Sequence, residues 1–164
     1  MATPTTPTSS TPSASERRLR KELAELNVAP PVLSAGLVDS NNLTEWVAVI
    51  EGPLETPYAD GQFKVSLLFT ELYPLKPPQC QMITKVYHPN ISENLGEISL
   101  DVLNTLWKPR TTVNEILQGI HDLLKQPHAE KCLEPAIGEQ YLNNQPEFVR
   151  LAKEYTEKYA KRPE

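Results

Sequence analysis

VYHPNISENLGEISLDVLNTLWKPR, residues 86–110, is the stretch from which the fold and function of this chain are best inferred. It shows neither the two-residue alternation of a strand nor the period of an amphipathic helix. Long stretches without regular structure inside a compact domain are usually functional or disordered. Large apolar side chains are frequent here, which favours an ordered segment that packs on a core. They are Tyr87, Ile91, Leu95, Ile98, Leu100, Val102, Leu103 and Trp107.

The residues before this stretch predict one helix followed by strands. Ser13 and Glu16 have the spacing of a capping box, and Pro30-Pro31 ends the helix that follows. Its apolar face consists of Leu19, Leu23 and Leu26. The short connections between the strands favour an antiparallel meander. The predicted strands are residues 34–38, 43–50, 63–69 and 81–85.

Three helices are predicted after it. Thr112 and Glu115 form a second capping-box pattern, and the strongly amphipathic helix that follows ends at Pro127. Pro135 suits the first turn of a short helix through Leu142, and Pro146 suits that of a last helix. The order of elements is that of an α+β fold. The predicted buried stripe of the last helix is Phe148, Leu151, Tyr155 and Tyr159.

Length and charge narrow the classes of function. The 164 residues suffice for one domain, expected at 15–164 after a disordered Thr/Ser/Pro tail at 1–14. A net charge of -5 argues against a nucleic-acid partner. No apolar run approaches the length of a bilayer span and no signal peptide is recognised, so no membrane partner is expected. Cys80 and Cys132 are interpreted as free thiols of a cytoplasmic or nuclear protein.

Residue patterns alone do not predict a specific reaction. The sequence has no Gly-rich phosphate loop, no Cys/His cluster with metal-binding spacing and no serine in a nucleophile elbow. His88, His121 and His128 are scattered. These patterns therefore indicate an α+β domain with a functional irregular segment.

Five motifs stand in order along the chain. Residues 52–63 read G-P-x-x-x-P-Y-x-x-G-x-F, and residues 73–78 read Y-P-L-x-P-P. Tyr87-His88-Pro89-Asn90-Ile91 contains H-P-N, residues 96–103 read G-x-I-S-L-D-V-L, and residues 107–109 read W-x-P. These motifs resemble those of ubiquitin-conjugating enzymes (E2s), which carry G-P-x-x-x-P-Y-x-x-G-x-F, Y-P-F-x-P-P, HPN, G-x-I-C-L-D-I-L and W-x-P.

The resemblance covers about residues 15–162 and implies the UBC fold, with an N-terminal helix, a four-stranded antiparallel meander, the active-site segment and three C-terminal helices. In this family an activating enzyme (E1) uses ATP to charge ubiquitin or a ubiquitin-like modifier. The E2 cysteine accepts the modifier as a thioester. A ligase (E3) of the RING, HECT or RBR type then promotes transfer to a substrate lysine or to its own cysteine. No cofactor or metal is implied for the E2, and we expect a monomer in the cytoplasm or nucleus.

Ser99 stands where the family carries its catalytic cysteine. A serine hydroxyl does not ionise near neutral pH, and an alkoxide leaves far less readily than a thiolate. We therefore expect an inactive or oxyester-trapping form of an E2. Ser99 is either an engineered Cys→Ser replacement or a natural variant, and the otherwise complete motifs favour the first origin.

The resemblance implies roles for other residues of the segment. Asn90 either stabilises the oxyanion of the transfer step or supports the active-site loop. Asp101 either helps to position or deprotonate an incoming amine or is an ordinary solvated acid. His88, from the HPN motif, is grouped with these catalytic residues. Lys131 falls where the family often has an acidic residue, and a second ammonium there disfavours an incoming amine. Glu130 offers a compensating charge.

Two binding surfaces are also implied. The cations of the first helix are expected to meet an acidic surface of E1, unless they are an ordinary solvated face. A second set, around the loop that holds Leu75, is expected to form the apolar patch that an E3 binds. The E1-binding residues are Arg17, Arg18, Arg20 and Lys21, and the E3-binding residues are Leu75, Trp107, Lys108 and Pro109.

A function of another class also agrees with these residues. A naturally inactive E2-like adaptor would bind ubiquitin or an active E2 without chemistry. A cysteine placed at position 99 distinguishes the two, because only the enzyme fold would then accept a modifier. A small α+β binding domain unrelated to E2s would require five ordered motif matches to be a coincidence.

Overall fold

The computed structural model describes residues 12–26 and 28–161. The tail predicted at 1–14 therefore lies mostly outside the described residues. Helix α1 spans Ala14–Ala24. The Ser13 side chain accepts the Glu16 N–H and the Glu16 side chain accepts the Ser13 N–H, which confirms the first capping box.

Four antiparallel strands form one sheet in the order β1-β2-β3-β4. Their bounds are Val32–Leu37, Glu45–Glu51, Gln62–Leu68 and Gln79–Met82. The antiparallel meander is thus confirmed. The prediction for the last strand was wrong by two to three residues, because the Thr84 hydroxyl takes the Lys64 N–H at 2.9 Å. The chain turns away at this point, and Val65 and Met82 are the last partners of β3 and β4.

One face of the sheet packs against helix α2, Val113–Lys125. Alternate residues of β2 and β3 point to this core. Thr112 and Glu115 form the second capping box as predicted. The α2 residues in the core are Val113, Ile116, Leu117, Ile120, Leu123 and Leu124.

Helices α3, Pro135–Asn143, and α4, Gln145–Tyr159, complete the chain order. The predicted stripe of α4 was wrong in part, because the buried positions are Phe148, Ala152 and Thr156. Tyr159 is 40% exposed, and its ring lies 5.4 Å from the Lys85 ammonium. The tyrosines border the core instead of filling it, since each keeps a polar end that needs a partner. Within residues 12–26 and 28–161, no helix has the length and apolar character to cross a bilayer.

Candidate active site

The segment that carries Ser99 is folded back on itself and fixed to the sheet edge. The Ser99 N–H donates to the Asn90 carbonyl at 2.9 Å, and Ile91 and Ile98 form an antiparallel bridge. Gly96 turns the chain with a φ of +72°. Its carbonyl accepts the Met82 N–H at 2.8 Å, and a Cβ on Gly96 would meet the Met82 oxygen at 2.2 Å. Position 99 therefore follows a short hairpin of defined geometry.

Ser99 is partly buried and leads into a 3₁₀ turn, Asp101–Leu103. The Asp101 carbonyl accepts the N–H groups of Asn104 and Leu106, both at 2.9 Å. The Leu100 side chain lies against Gly119 of α2, where an added Cβ would be 3.4 Å from it. Helix α2 thus packs against the residue that directly follows the acceptor position.

Asn90 is fully buried, and its side chain is committed to a neighbouring loop. Its Nδ2 donates to the carbonyls of His128 and Lys131 at 2.8 and 3.1 Å, and its Oδ1 accepts the His128 N–H at 2.8 Å. Both amide hydrogens are therefore used within the protein. This side chain holds the loop that begins at His128 beside the Ser99 segment, together with the Pro89 carbonyl, which accepts the N–H groups of Leu133 and Glu134 at 2.8 and 3.1 Å.

His88 is fully buried, and its ring bridges the HPN segment and the core helix. Its Nδ1 accepts the Asn90 N–H at 3.0 Å, so its Nε2 carries the proton and donates to the Leu123 carbonyl at 2.8 Å. Burial lowers the pKa of His88 to about 4, against the raising effect of the Leu123 carbonyl. His88 is therefore neutral near pH 7. The sequence grouped it with the catalytic residues, but both nitrogens are engaged inside the protein, so it has the geometry of a positioning residue.

Asp101, two residues after Ser99, forms an ion pair with Lys131. The Lys131 ammonium donates to the Asp101 carboxylate, and their side chains are 48% and 42% exposed. Neither the pattern nor the resemblance predicted this pair, since the two residues are 30 positions apart. Glu130 does not take the role of partner, because its carboxylate lies 3.9 Å from the His128 ring nitrogen.

The residues predicted to bind an E3 lie on two adjoining loops. The Trp107 indole N–H donates to the Pro74 carbonyl at 2.9 Å, which ties the loops together. Leu75 is 72% exposed, as its position between prolines predicts, and Lys108 and Pro109 are also exposed. Trp107 itself is partly buried, and its indole joins the two loops. Leu72 and Leu106 add further exposed apolar surface.

The four cations predicted to bind E1 do not form a uniform face. Arg17, Arg20 and Lys21 are exposed. Arg18 is only 23% exposed, and it donates to Glu22 and to the Thr111 carbonyl, both at 3.0 Å. Its guanidinium also lies 5.5 Å from the centre of the Tyr73 ring. Arg18 is thus part of the internal structure.

Glu22, which the sequence did not single out, is the centre of this polar cluster. Its carboxylate accepts the Val113 N–H at 2.9 Å, at the start of α2, and accepts hydrogen bonds from the Arg18 guanidinium and the Tyr73 hydroxyl. Burial raises the pKa of Tyr73, and the hydrogen bond to Glu22 raises it further. One buried carboxylate therefore connects α1, the Tyr73 loop and α2.

Known proteins are similar to this chain in sequence and in fold. The family model described as ubiquitin-conjugating enzyme matches residues 18–156. The E2 domain of a Toxoplasma gondii ubiquitin conjugating enzyme superposes with a TM-score of 0.82 at 36% identity, covering 88% of this chain and 98% of that one. A Plasmodium yoelii protein described as a ubiquitin conjugating enzyme gives a TM-score of 0.85 at 36% identity, over 93% and 99% of the two chains.

The chain belongs to the ubiquitin-conjugating enzyme family, and its fold is the UBC fold. The expected order of helix, four-stranded meander and C-terminal helices is confirmed. Membership associates the chain in general terms with ubiquitin, an E1 and an E3.

Proposed function

We propose that this chain has the E2 site for accepting a modifier from E1, with a serine hydroxyl in place of the thiol. It would form at most a slow oxyester at Ser99 and would not pass the modifier on at a useful rate. The observation that carries the proposal is the position of Ser99, at the end of the hairpin closed by Asn90, in a chain of this family.

Acceptance of the modifier from E1 and its later transfer to a substrate differ in the group that must leave. In acceptance, the hydroxyl oxygen attacks the carbonyl of the E1-bound thioester, the carbon–sulfur bond breaks, and the hydroxyl proton is passed to the departing E1 thiolate. The product is an oxyester. Its transfer would require an alkoxide to leave, which is much harder than the departure of a thiolate. A cysteine at position 99 removes this barrier.

Within this proposal Asn90 supports the loop and does not donate to the oxyanion. Both of its amide hydrogens already bind the carbonyls of His128 and Lys131. An oxyanion would gain a hydrogen bond from Asn90 only if one of these bonds broke. Asp101 lies two residues beyond the acceptor and is paired with Lys131. An incoming group therefore meets the combined charge of Asp101 and Lys131 and not that of a free carboxylate.

The test compares the parent chain with its Ser99→Cys and Ser99→Ala variants. Each is incubated with E1, ATP, Mg²⁺ and ubiquitin and then separated on gels with and without reductant. We expect a reductant-sensitive adduct on Ser99→Cys, a weak reductant-resistant and base-labile adduct on the parent chain, and none on Ser99→Ala. A Cys132→Ser change serves as the control for the partly buried second thiol. Cys80 needs no such control, because burial raises the pKa of its thiol to about 12.

The same experiment distinguishes the adaptor function, which the serine also favours. An adaptor needs no acceptor, so no variant would charge with ubiquitin or any ubiquitin-like modifier. The parent chain would still bind ubiquitin or an active E2 in a pull-down or by NMR titration. This result would exclude the enzyme function.

A further inference from the structure

The hairpin that ends at Ser99 is a short ladder of paired backbone. At its base the Ser99 N–H donates to the Asn90 carbonyl at 2.9 Å. Nearer its turn the Ser92 N–H donates to the Glu97 carbonyl, also at 2.9 Å. Glu93 follows directly, in the turn itself. Because hydrogen bonds lock the two strands together, a shift of the turn is passed to the base, so the contacts that hold Glu93 also act on position 99.

Glu93 is held at two different atoms by the C-terminal part of the chain. Its carboxylate accepts the hydroxyl of Tyr155, in α4, at 2.7 Å. Its backbone N–H donates to the carboxylate of Glu134, just before α3, at 3.0 Å. All three residues are partly buried, so water competes less for these bonds than at an open surface. The partners lie 62 and 41 positions from Glu93, which is why the sequence did not reveal them.

Both partners are themselves fixed in place. The Glu134 N–H donates to the Pro89 carbonyl at 3.1 Å, so one residue is attached to the turn of the hairpin and to the segment that precedes its base. The Tyr155 ring lies 5.2 Å from the Tyr87 ring, centre to centre. The hydrogen bond to Glu93, followed by burial, raises the pKa of Tyr155 to about 12. The hydroxyl therefore keeps its proton and remains a donor near neutral pH.

The hairpin is thus held from two sides. On one side the Gly96 carbonyl accepts the Met82 N–H at 2.8 Å, which attaches the hairpin to the edge of the sheet. On the other side Glu93 attaches it to α3 and α4. Removing the Tyr155 hydroxyl would release one of these attachments and leave the sheet contact intact.

We propose that Glu93 and Tyr155 are positioning residues for the acceptor, because they hold the hairpin in the geometry in which residue 99 meets the E1 thioester. This inference rests on the proposed function. Reacting atoms must approach to about 3–3.5 Å in the correct orientation, and small displacements slow a reaction strongly. A loosened hairpin would therefore slow the chemical step. It would leave E1 binding unchanged, since the exposed cations of α1 are not part of the hairpin.

The experiment uses the whole chain with Ser99→Cys as the parent. Tyr155→Phe removes only a hydroxyl, and Glu93→Ala removes the carboxylate while the N–H can still bind Glu134. Glu93→Gln is the conservative variant, because its amide oxygen can accept the Tyr155 hydroxyl. The matched control is Tyr159→Phe, at a tyrosine of the same helix that is 40% exposed.

The rate of charging by E1 with ATP, Mg²⁺ and ubiquitin is measured against the concentration of each variant, which separates kcat from KM. Hydrogen exchange of the amide at position 99 is followed by NMR, and thermal unfolding shows whether each variant is folded. The amide reports on the base of the hairpin without any catalysis.

We expect Tyr155→Phe and Glu93→Ala each to lower kcat about tenfold and to leave KM unchanged. The double variant should lose no more than either single variant, since both remove the same hydrogen bond. The amide at position 99 should exchange faster in these variants. Glu93→Gln and Tyr159→Phe should keep the kcat and the exchange rate of the parent.

Unchanged kcat and unchanged exchange in a folded Tyr155→Phe chain would overturn the inference while the enzyme function stands. A change in KM alone would also overturn it, because it would assign Tyr155 to E1 binding. An equal loss in Glu93→Gln and Glu93→Ala would exclude the hydrogen bond as the cause. Failure of the Ser99→Cys parent to charge at all would overturn the proposed function and this inference with it.

Discussion

The side chain of Asn90 makes two hydrogen bonds with the backbone of His128. Its Oδ1 accepts the His128 N–H and its Nδ2 donates to the His128 carbonyl, each at 2.8 Å. A third bond, from Nδ2 to the Lys131 carbonyl, leaves both amide hydrogens engaged. This arrangement resembles a short piece of strand pairing made by one side chain, and it fixes the loop beside the acceptor.

Replacement of Asn90 by alanine should lower the free energy of unfolding by about 3 kcal/mol, since three hydrogen bonds to a buried side chain are lost. Asn90→Asp should cost at least as much, because a carboxylate would face two carbonyl oxygens. Urea unfolding measures both values, and Asn94→Ala is the control at an exposed asparagine of the same segment. Unchanged stability together with lost charging in the Ser99→Cys background would instead assign the amide to the oxyanion.

The buried His88 should make stability fall as the pH falls. Its pKa is lowered from 6.5 to about 4 in the folded chain by burial. The unfolded chain therefore binds more protons between these two values, and the free energy of unfolding decreases as the pH drops through that window. The full effect is about 3 kcal/mol at pH 4 relative to pH 7.

The measurement is urea unfolding at several pH values, with His88→Asn as the comparison, because asparagine keeps an acceptor for the Asn90 N–H and does not titrate. The parent chain should lose more stability than His88→Asn between pH 6.5 and pH 4. Parallel pH profiles for the parent chain and His88→Asn would show that His88 is not the group responsible.

Alanine variants at Arg18 and Arg20 should have different effects, the first on folding and the second on E1 binding. Arg18→Ala leaves the Glu22 carboxylate buried without its cation and should lower the free energy of unfolding by about 3 kcal/mol. Arg20→Ala, at an exposed position, should leave stability within about 0.5 kcal/mol. In the Ser99→Cys background Arg20→Ala should slow charging by E1, which is measured at limiting E1 concentration. Equal stability of the two variants would contradict the structural role of Arg18.

Local signals explain what the sequence could predict. Both capping boxes join residues three positions apart, so Ser13 with Glu16 and Thr112 with Glu115 were recognisable without a fold. Alternation, helical periodicity and prolines then predicted the order of elements, and the family that the motifs at residues 52–109 resemble has the same order. Arg18 was assigned to E1 because its partner carbonyl, that of Thr111, lies 93 positions away and becomes a neighbour only after folding.

Contacts that form only after folding also explain what was not predicted at the site and in the last helix. Lys131 and Asp101 are 30 positions apart, and their pairing depends on the loop that Asn90 holds. In α4 the period of apolar residues placed Tyr159 in the core. The smaller residues Ala152 and Thr156 are buried instead, whereas Tyr159 is 40% exposed. A tyrosine at the border of the core keeps its hydroxyl near polar partners.

Leu75 should contribute to E3 binding without affecting folding. Its side chain is 72% exposed, on a loop tied by the Trp107 indole to the segment that carries Lys108 and Pro109. An exposed leucine gains free energy mainly when a partner covers it, and a central apolar contact of an interface is worth about 2 kcal/mol. Leu75→Asp in the charged Ser99→Cys chain should therefore weaken E3-stimulated discharge about thirtyfold.

The matched control is Leu54→Asp, at a leucine that is 79% exposed in the loop between β2 and β3. Discharge is measured with a panel of RING and HECT domains, and charging by E1 is measured separately for each variant. Leu54→Asp should discharge like the parent chain, since Leu54 lies outside the two loops joined by Trp107. Equal losses in both variants would attribute the effect to surface charge, whereas no loss in Leu75→Asp would place the E3 on another face of the domain.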